Sequence, residues 1–274
     1  MLVLALGACS PAPHSSAPHS SGPHRQPALV SLNPCTDAIL AEVADPQQIL
    51  AISAYSHDPA SSSMDLALAR RFRATSGAVE EVLVLRPDVV VTGNFTPPAT
   101  RVAMTGLGLK LEEVPIASTV AESIAQVRRL AGLSGHPERG EALVRRIEMA
   151  LAAGASPAGT APIQTVVWES GGIVPGDNTL IAELMRRAGF ANFSAAKGMR
   201  QADLLPLELM LVDPPKLILV AGNTRSGEDR MLAHPALARL KNVRRERLDP
   251  SLLYCGGPTI IRAMERLAQV RRTL

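Results

Sequence analysis

Aromatic residues are scarce in this chain: one tryptophan, two tyrosines and four phenylalanines make up 3% of 274 residues, so any place where they gather carries information. An excess of one charge is missing too. The net charge is only +3, and the pairs Arg70-Arg71, Arg128-Arg129 and Arg271-Arg272 fall at the ends of helical patterns, where a cation favours the carboxyl-terminal dipole. Such a balance gives no reason to expect a nucleic-acid partner. Past the first residues, no apolar run is long enough to cross a bilayer. Glycine-rich phosphate loops and a nucleophile elbow are absent, and Cys35 has no sequence-evident histidine partner, so an enzyme is not expected. What is present is apolar residues at 46%, ample for two cores in a chain of this length.

The chain opens on Met1-Leu-Val-Leu-Ala-Leu-Gly-Ala-Cys9, whose Leu6-Gly7-Ala8-Cys9 resembles the bacterial lipobox. Residues 1–9 are therefore read as a lipoprotein signal segment with Cys9 as the lipidated residue. The lack of a basic stretch before it leads us to expect a start further upstream. Residues 10–27 alternate Pro, Ser, Ala and His, cannot bury a core, and form an extended tether. The spaced imidazoles of His14, His19 and His24 on such a tether are not expected to hold a metal.

One pattern occurs twice. Glu80-Glu-Val-Leu-Val-Leu-Arg-Pro87 leads into Asp-Val-Val-Val-Thr-Gly-Asn94, and Glu208-Leu-Met-Leu-Val-Asp-Pro-Pro215 leads into Lys-Leu-Ile-Leu-Val-Ala-Gly-Asn223. Each copy reads as a short amphipathic helix, a proline, a buried strand and a Gly-Asn stop, with a glutamate seven residues before the proline. Around these copies strand and helix alternate. Strands are expected near 28–32, 48–53, 111–114 and 165–168, with helices at 64–72, 97–106 and 258–272, and Asp177 or Asn178 capping another. Asn33 and Pro34 supply the cap and first position of a helix after the first strand. The pattern from 119 to 154 is helical and broken at Gly135-His-Pro137. The expected fold is α/β: two Rossmann-like lobes, 28–118 and 155–274, joined by connecting helices at 119–154, with a ligand cleft between the lobes.

Parallel sheets bind ligands at the carboxyl ends of their strands. The loops there contain Cys35, Tyr55, Phe95, Trp168, Glu169, Arg225, Tyr254 and Cys255, which include both tyrosines and the tryptophan. Such a set suits stacking on a large planar or apolar ligand. A zinc- or manganese-type site would need histidines and carboxylates from both lobes, and only His57 and His234 stand in ordered loops, so no metal site is expected.

The stretches Ser31-Leu-Asn-Pro-Cys-Thr-Asp-Ala-Ile-Leu40, Leu85-Arg-Pro-Asp-Val-Val-Val91, Gly176-Asp-Asn-Thr-Leu-Ile-Ala-Glu-Leu-Met-Arg-Arg-Ala-Gly-Phe-Ala-Asn192 and Gly256-Gly-Pro-Thr-Ile-Ile-Arg-Ala-Met264 resemble substrate-binding proteins of the iron-siderophore, haem and cobalamin ABC importers. The resemblance implies a monomeric periplasmic protein that serves a permease and its ATPase and touches the membrane through a lipid anchor only. It implies a rigid helix between the lobes, here Glu138 to Ala153, and a glutamate on each lobe for the permease arginines, here Glu80 and Glu208. An aromatic cleft with few charges points to cobalamin or another corrinoid, a ferric siderophore comes next and haem third; Arg225, and less clearly Arg101, would be its cations. A lipid-anchored sensor or redox protein on the same fold is the reading from another class.

Cys35 and Cys255 remain once Cys9 carries lipid, one in each lobe and in an oxidising compartment. Three outcomes stay open: an inter-lobe disulfide, free thiols lining the cleft and able to ligate a metal, or two unrelated small apolar residues.

Overall fold

The structure is a computed structural model and describes residues 26–222, 234, 235, 240 and 242–274. Cys9, Arg225 and the tether histidines lie outside the described residues.

The N-terminal lobe runs β1 (Leu29–Ser31), α1 (Pro34–Val43), β2 (Ile49–Ser53), α2 (Leu66–Ala69), β3 (Ala74–Thr75), α3 (Val79–Leu85), β4 (Val89–Gly93), α4 (Pro98–Gly106) and β5 (Leu111–Val114). Its five strands form one parallel sheet in the order β3-β2-β1-β4-β5. Helices α5 (Val120–Ser134) and α6 (Pro137–Gly154) follow. The C-terminal lobe contains β6 (Ile163–Trp168), β7 (Ile173–Pro175), α7 (Leu180–Arg187), β8 (Phe190–Asn192), α8 (Phe193–Ala196), β9 (Ala202–Leu204), α9 (Leu207–Val212), β10 (Leu217–Val220), β11 (Arg244–Arg247) and α10 (Thr259–Arg272). Its parallel sheet has the order β11-β10-β6-β8, and β7 and β9 form a separate antiparallel ribbon.

The repeated sequence takes the same place in both sheets. β4 lies between the first strand of its lobe, β1, and β5, and β10 lies between β6 and β11. The helices α3 and α9 that precede these strands both start without a side-chain cap, at Ala78 and Pro206.

Each sheet is covered on both faces, which explains its continuous apolar strands. Along β1, β4, β6 and β10, alternate residues face different layers. Leu29, Val89, Val91, Val167, Leu217 and Leu219 join one core shared by both lobes, whereas Val30 and Val90 pack with Val82 and Met104 in an outer N-terminal layer. Val166, Trp168 and Ile218 pack with Phe193 and Met210 in the corresponding C-terminal layer.

Helix α6 touches both lobes. Arg139 and Arg146 pair with Asp45 and Glu42 at α1, at 2.8 and 2.9 Å. At the other end Gly154 lies so close to α10 that a Cβ there would be 2.7 Å from Met264 Cε. With 18 residues the helix is about 27 Å long, enough to reach from one lobe to the other.

Several local expectations change. The helix expected over 64–72 is one turn, because Asp65 caps it by accepting from the Leu68 N–H at 2.9 Å and the chain turns out after Ala69 into β3. The cap of α7 is Thr179, not Asp177 or Asn178, whose backbone N–H groups bond to the Met199 and Arg200 carbonyls. The β7–β9 ribbon, β8 and the arginine-rich edge strand β11 were not expected from the sequence. An exposed, charged edge strand lacks the apolar alternation that announces a strand.

Candidate ligand-binding site

The carboxyl ends of β1 and β4 lie side by side where the order of the N-terminal sheet reverses, the place where an open parallel sheet offers a crevice. Asn33, just after β1, caps α1 by accepting from the Cys35 N–H at 2.8 Å. Gly93 at the end of β4 approaches it so closely that a Cβ would sit 2.2 Å from Asn33 Nδ2. Phe95 follows, 82% exposed. Tyr55 is 64% exposed on a tight helical turn, Ala54–His57, that follows β2 and is capped by the Ser53 hydroxyl.

Beneath that turn lies a residue whose role the sequence did not disclose. Asp37, fully buried in the first turn of α1, accepts at Oδ2 from the Ser53 N–H at 3.0 Å and the Ser56 hydroxyl at 2.6 Å, while Oδ1 has no partner. Burial pushes its carboxyl up to about 8, against the lowering effect of these hydrogen bonds. Asp37 thereby fixes the Tyr55 turn to α1. Its signal in the sequence is the set of small hydroxyls, Ser53 and Ser56, at the end of the neighbouring strand.

From the C-terminal lobe come Glu169, directly after β6, and Tyr254, which follows a short turn at Pro250–Leu252. The Tyr254 hydroxyl donates to Glu169 Oε2. Burial raises the Glu169 carboxyl above its usual range, with the phenol hydrogen bond opposing. Burial, then the Glu169 hydrogen bond and charge, raise the phenol above its ordinary value, so Tyr254 stays a neutral donor at physiological pH.

The two lobes are covalently joined beside this pair. Cys35 and Cys255 form a disulfide with Cα atoms 5.0 Å apart across 220 residues of sequence. The free-thiol reading and the reading as unrelated apolar residues are both overturned, and neither sulfur is available as a thiolate ligand. The seam continues past the disulfide. Gly257 donates its N–H to Ser123 Oγ at 2.7 Å, and the Thr259 hydroxyl and the Arg262 guanidinium both donate to the Ser63 carbonyl. A glycine is required at position 257, where φ is +59° and a Cβ would lie 2.5 Å from Ile39 Cγ1.

Trp168 does not line this site. It is fully buried in the outer layer of the C-terminal lobe, on the same side of β6 as Val166, and its indole N–H has no partner. Arg101 is held by the Thr96 carbonyl at 3.2 Å and lies 3.7 Å from Glu113, and the His57 ring bonds the Ala69 carbonyl. Among the described residues no cluster of three or more His, Cys, Asp or Glu could hold a metal, and no helix is long and apolar enough to cross a membrane. A depression of about 490 Å³ lined by Gln164, Lys216, Asn242 and Arg244 lies at the opposite, amino-terminal edge of the second sheet.

The structure therefore sorts the seven aromatic residues cleanly. Trp168, Phe72, Phe190 and Phe193 are buried, and the three exposed ones, Tyr55, Phe95 and Tyr254, all stand on loops at carboxyl strand ends. Glu80 and Glu208 are exposed in the first turns of α3 and α9.

Residues 29–248 match the periplasmic binding protein family. Among solved structures, the periplasmic heme-binding protein RhuT from Roseiflexus sp. RS-1 is similar, with a TM-score of 0.73 and 22% identity over 89% of this chain and 97% of that one. The periplasmic vitamin B12 binding protein BtuF of Vibrio cholerae gives 0.69 and 18% over 90% and 98%, and a periplasmic heme binding protein from Pseudomonas aeruginosa gives 0.69 and 21% over 89% and 92%. At these identities the fold is what is shared. A comparison with curated protein sequences finds no match.

Proposed function

The chain belongs to the periplasmic binding protein family, and from that premise we propose that it is the extracytoplasmic substrate-binding component of an ABC importer. Its cargo on this reading is a large planar macrocycle, a corrinoid first and haem second. The observation that supports it is the placement of all three exposed aromatics, Tyr55, Phe95 and Tyr254, on the carboxyl-end loops of two lobes. Exposed rings cost free energy in water, and a stacked macrocycle recovers it.

Charge separates the candidates. Glu169 puts an acid at the site beside Tyr254, which disfavours a polyanionic ferric siderophore and the propionates of haem more than a corrinoid. The likeness in fold to both heme-binding and vitamin B12 binding proteins suits either macrocycle. Glu80 and Glu208 would meet cationic groups of the permease, and Cys9 would carry the lipid that keeps the protein at the membrane surface.

Purification from the source cells with ligand retained, followed by an absorption spectrum, tests this. Corrinoid bands are expected. A Soret band would move haem to first place, and a ferric chelate spectrum would overturn the macrocycle reading.

A further inference from the structure

We propose that Val84 and Val212 are docking residues: together with Glu80 and Glu208 they form two equivalent acid-plus-apolar contacts for the importer's membrane-embedded permease. The inference rests on the importer reading and names a second chemical component of its partner surface.

It starts from an unusual exposure. Val84 is 76% and Val212 85% exposed, in helices whose other faces bury Val82 and Met210 completely. Each valine stands four residues after the glutamate of its own helix, so acid and valine share one face. The two helices match residue by residue: exposed Glu80 with Glu208, buried Val82 with Met210, exposed Val84 with Val212. They also precede the equivalent strands β4 and β10. A β-branched residue is a poor helix former, so nothing in local propensity calls for one at an exposed helical position in both lobes.

The carboxylates on these faces are free to meet a partner. Neither Glu80 nor Glu208 has an ion-pair or hydrogen-bond partner among the described residues. Glu81, next in sequence, is by contrast held by the Thr75 hydroxyl at 2.7 Å and the Ser76 N–H at 2.9 Å, and its place in α9 is taken by Leu209. The repeated pattern is thus a free acid and a bare valine one turn apart. The chemistry that fits it is a cation beside an apolar pocket, presented twice. On a permease, such a site would pair an arginine or lysine with an aliphatic hollow, and the valine would strengthen the ion pair by excluding water from it.

The test compares tagged full-length proteins by the amount of ABC-importer integral subunit that each retains from detergent-solubilised membranes of the source bacterium, titrated to give an apparent affinity. Val84→Ser and Val212→Ser are each expected to weaken retention roughly tenfold, by loss of one buried aliphatic side chain, with an unchanged melting temperature. Glu80→Ala with Glu208→Ala should abolish retention, and Met149→Ser, a change at another exposed apolar residue, on α6, should alter nothing. If the glutamate variant fails and the valine variants bind as wild type does, this inference falls and the importer reading stands. If the glutamate variant binds normally, or the wild type retains no importer subunit, docking through these helices falls altogether. Self-association of the purified protein that the valine variants abolish would instead assign the patches to contacts between copies and overturn the proposal.

Discussion

Reducing the Cys35–Cys255 disulfide should lower the thermal stability of the whole chain by a large and calculable amount. The bridge closes a loop of 220 residues, and the entropy it removes from the unfolded chain is worth about 5 kcal/mol at room temperature in the chain-entropy treatment. That figure is an upper bound, since measured disulfides often contribute less. The native seam gives little back on reduction, because its hydrogen bonds from Gly257 to α5 and from Thr259 and Arg262 to the N-terminal lobe do not depend on the sulfurs. For a chain of this size 1 kcal/mol corresponds to about 2–4 °C, so a fall of at most about 10–20 °C is expected. Scanning calorimetry with and without a phosphine reductant measures it, and Cys35→Ser with Cys255→Ser should reproduce the reduced value without reductant. Peptide mapping of the unreduced protein should recover the Cys35–Cys255 link. A shift below 2 °C with reduction verified, or free thiols at both positions in protein prepared under oxidising conditions, would refute the reasoning.

Other expectations follow from single residues. Tyr254→Phe removes the donor that lowers the Glu169 carboxyl, so that group should titrate at higher pH in the variant, as carbon-detected NMR of the carboxyl would show, and macrocycle affinity should fall by up to about tenfold. An unchanged Glu169 titration would count against the pairing. Asp37 is raised in the folded state, from an ordinary 3.8 to about 8, so the folded protein binds more protons than the unfolded one between those values. Its contribution to stability is therefore fully present below about pH 4 and lost as pH climbs to 8; urea titrations should show Asp37→Asn losing less stability than wild type across that window, and parallel pH profiles would contradict it. Trp168 should emit at short wavelength and resist quenching by iodide, and a solvent-accessible emission would contradict its burial.

The repeat was readable because its cues are local: an apolar strand, a proline and a Gly-Asn stop need no knowledge of the partner strand. The caps at Asn33 and the two long helices were readable for the same reason. Trp168 was misplaced because β6 is buried on both faces, so no polar–apolar alternation tells which side of the strand its last residue faces. The Tyr254–Glu169 pair joins groups 85 residues apart within the C-terminal lobe and depends on how its strand-end loops pack, whereas the disulfide joins groups 220 apart and depends on how the lobes dock. That docking is set by the shared core and by the close approach of Gly257 to Ile39, neither of which has a local signature. Two of the expected aromatic positions, Tyr55 and Phe95, stand exposed on the N-terminal lobe as the strand-end rule requires.

Calorimetric titration of the full chain with cyanocobalamin and with haemin, on wild type and on the combined Tyr55→Ala, Phe95→Ala and Tyr254→Ala variant, tests the central claim most directly. The account predicts saturable one-to-one binding of cyanocobalamin that the triple variant weakens by on the order of a hundredfold while its melting temperature holds, since all three rings are exposed. Absence of binding to both macrocycles, or equal affinity in the variant and the wild type, would contradict it.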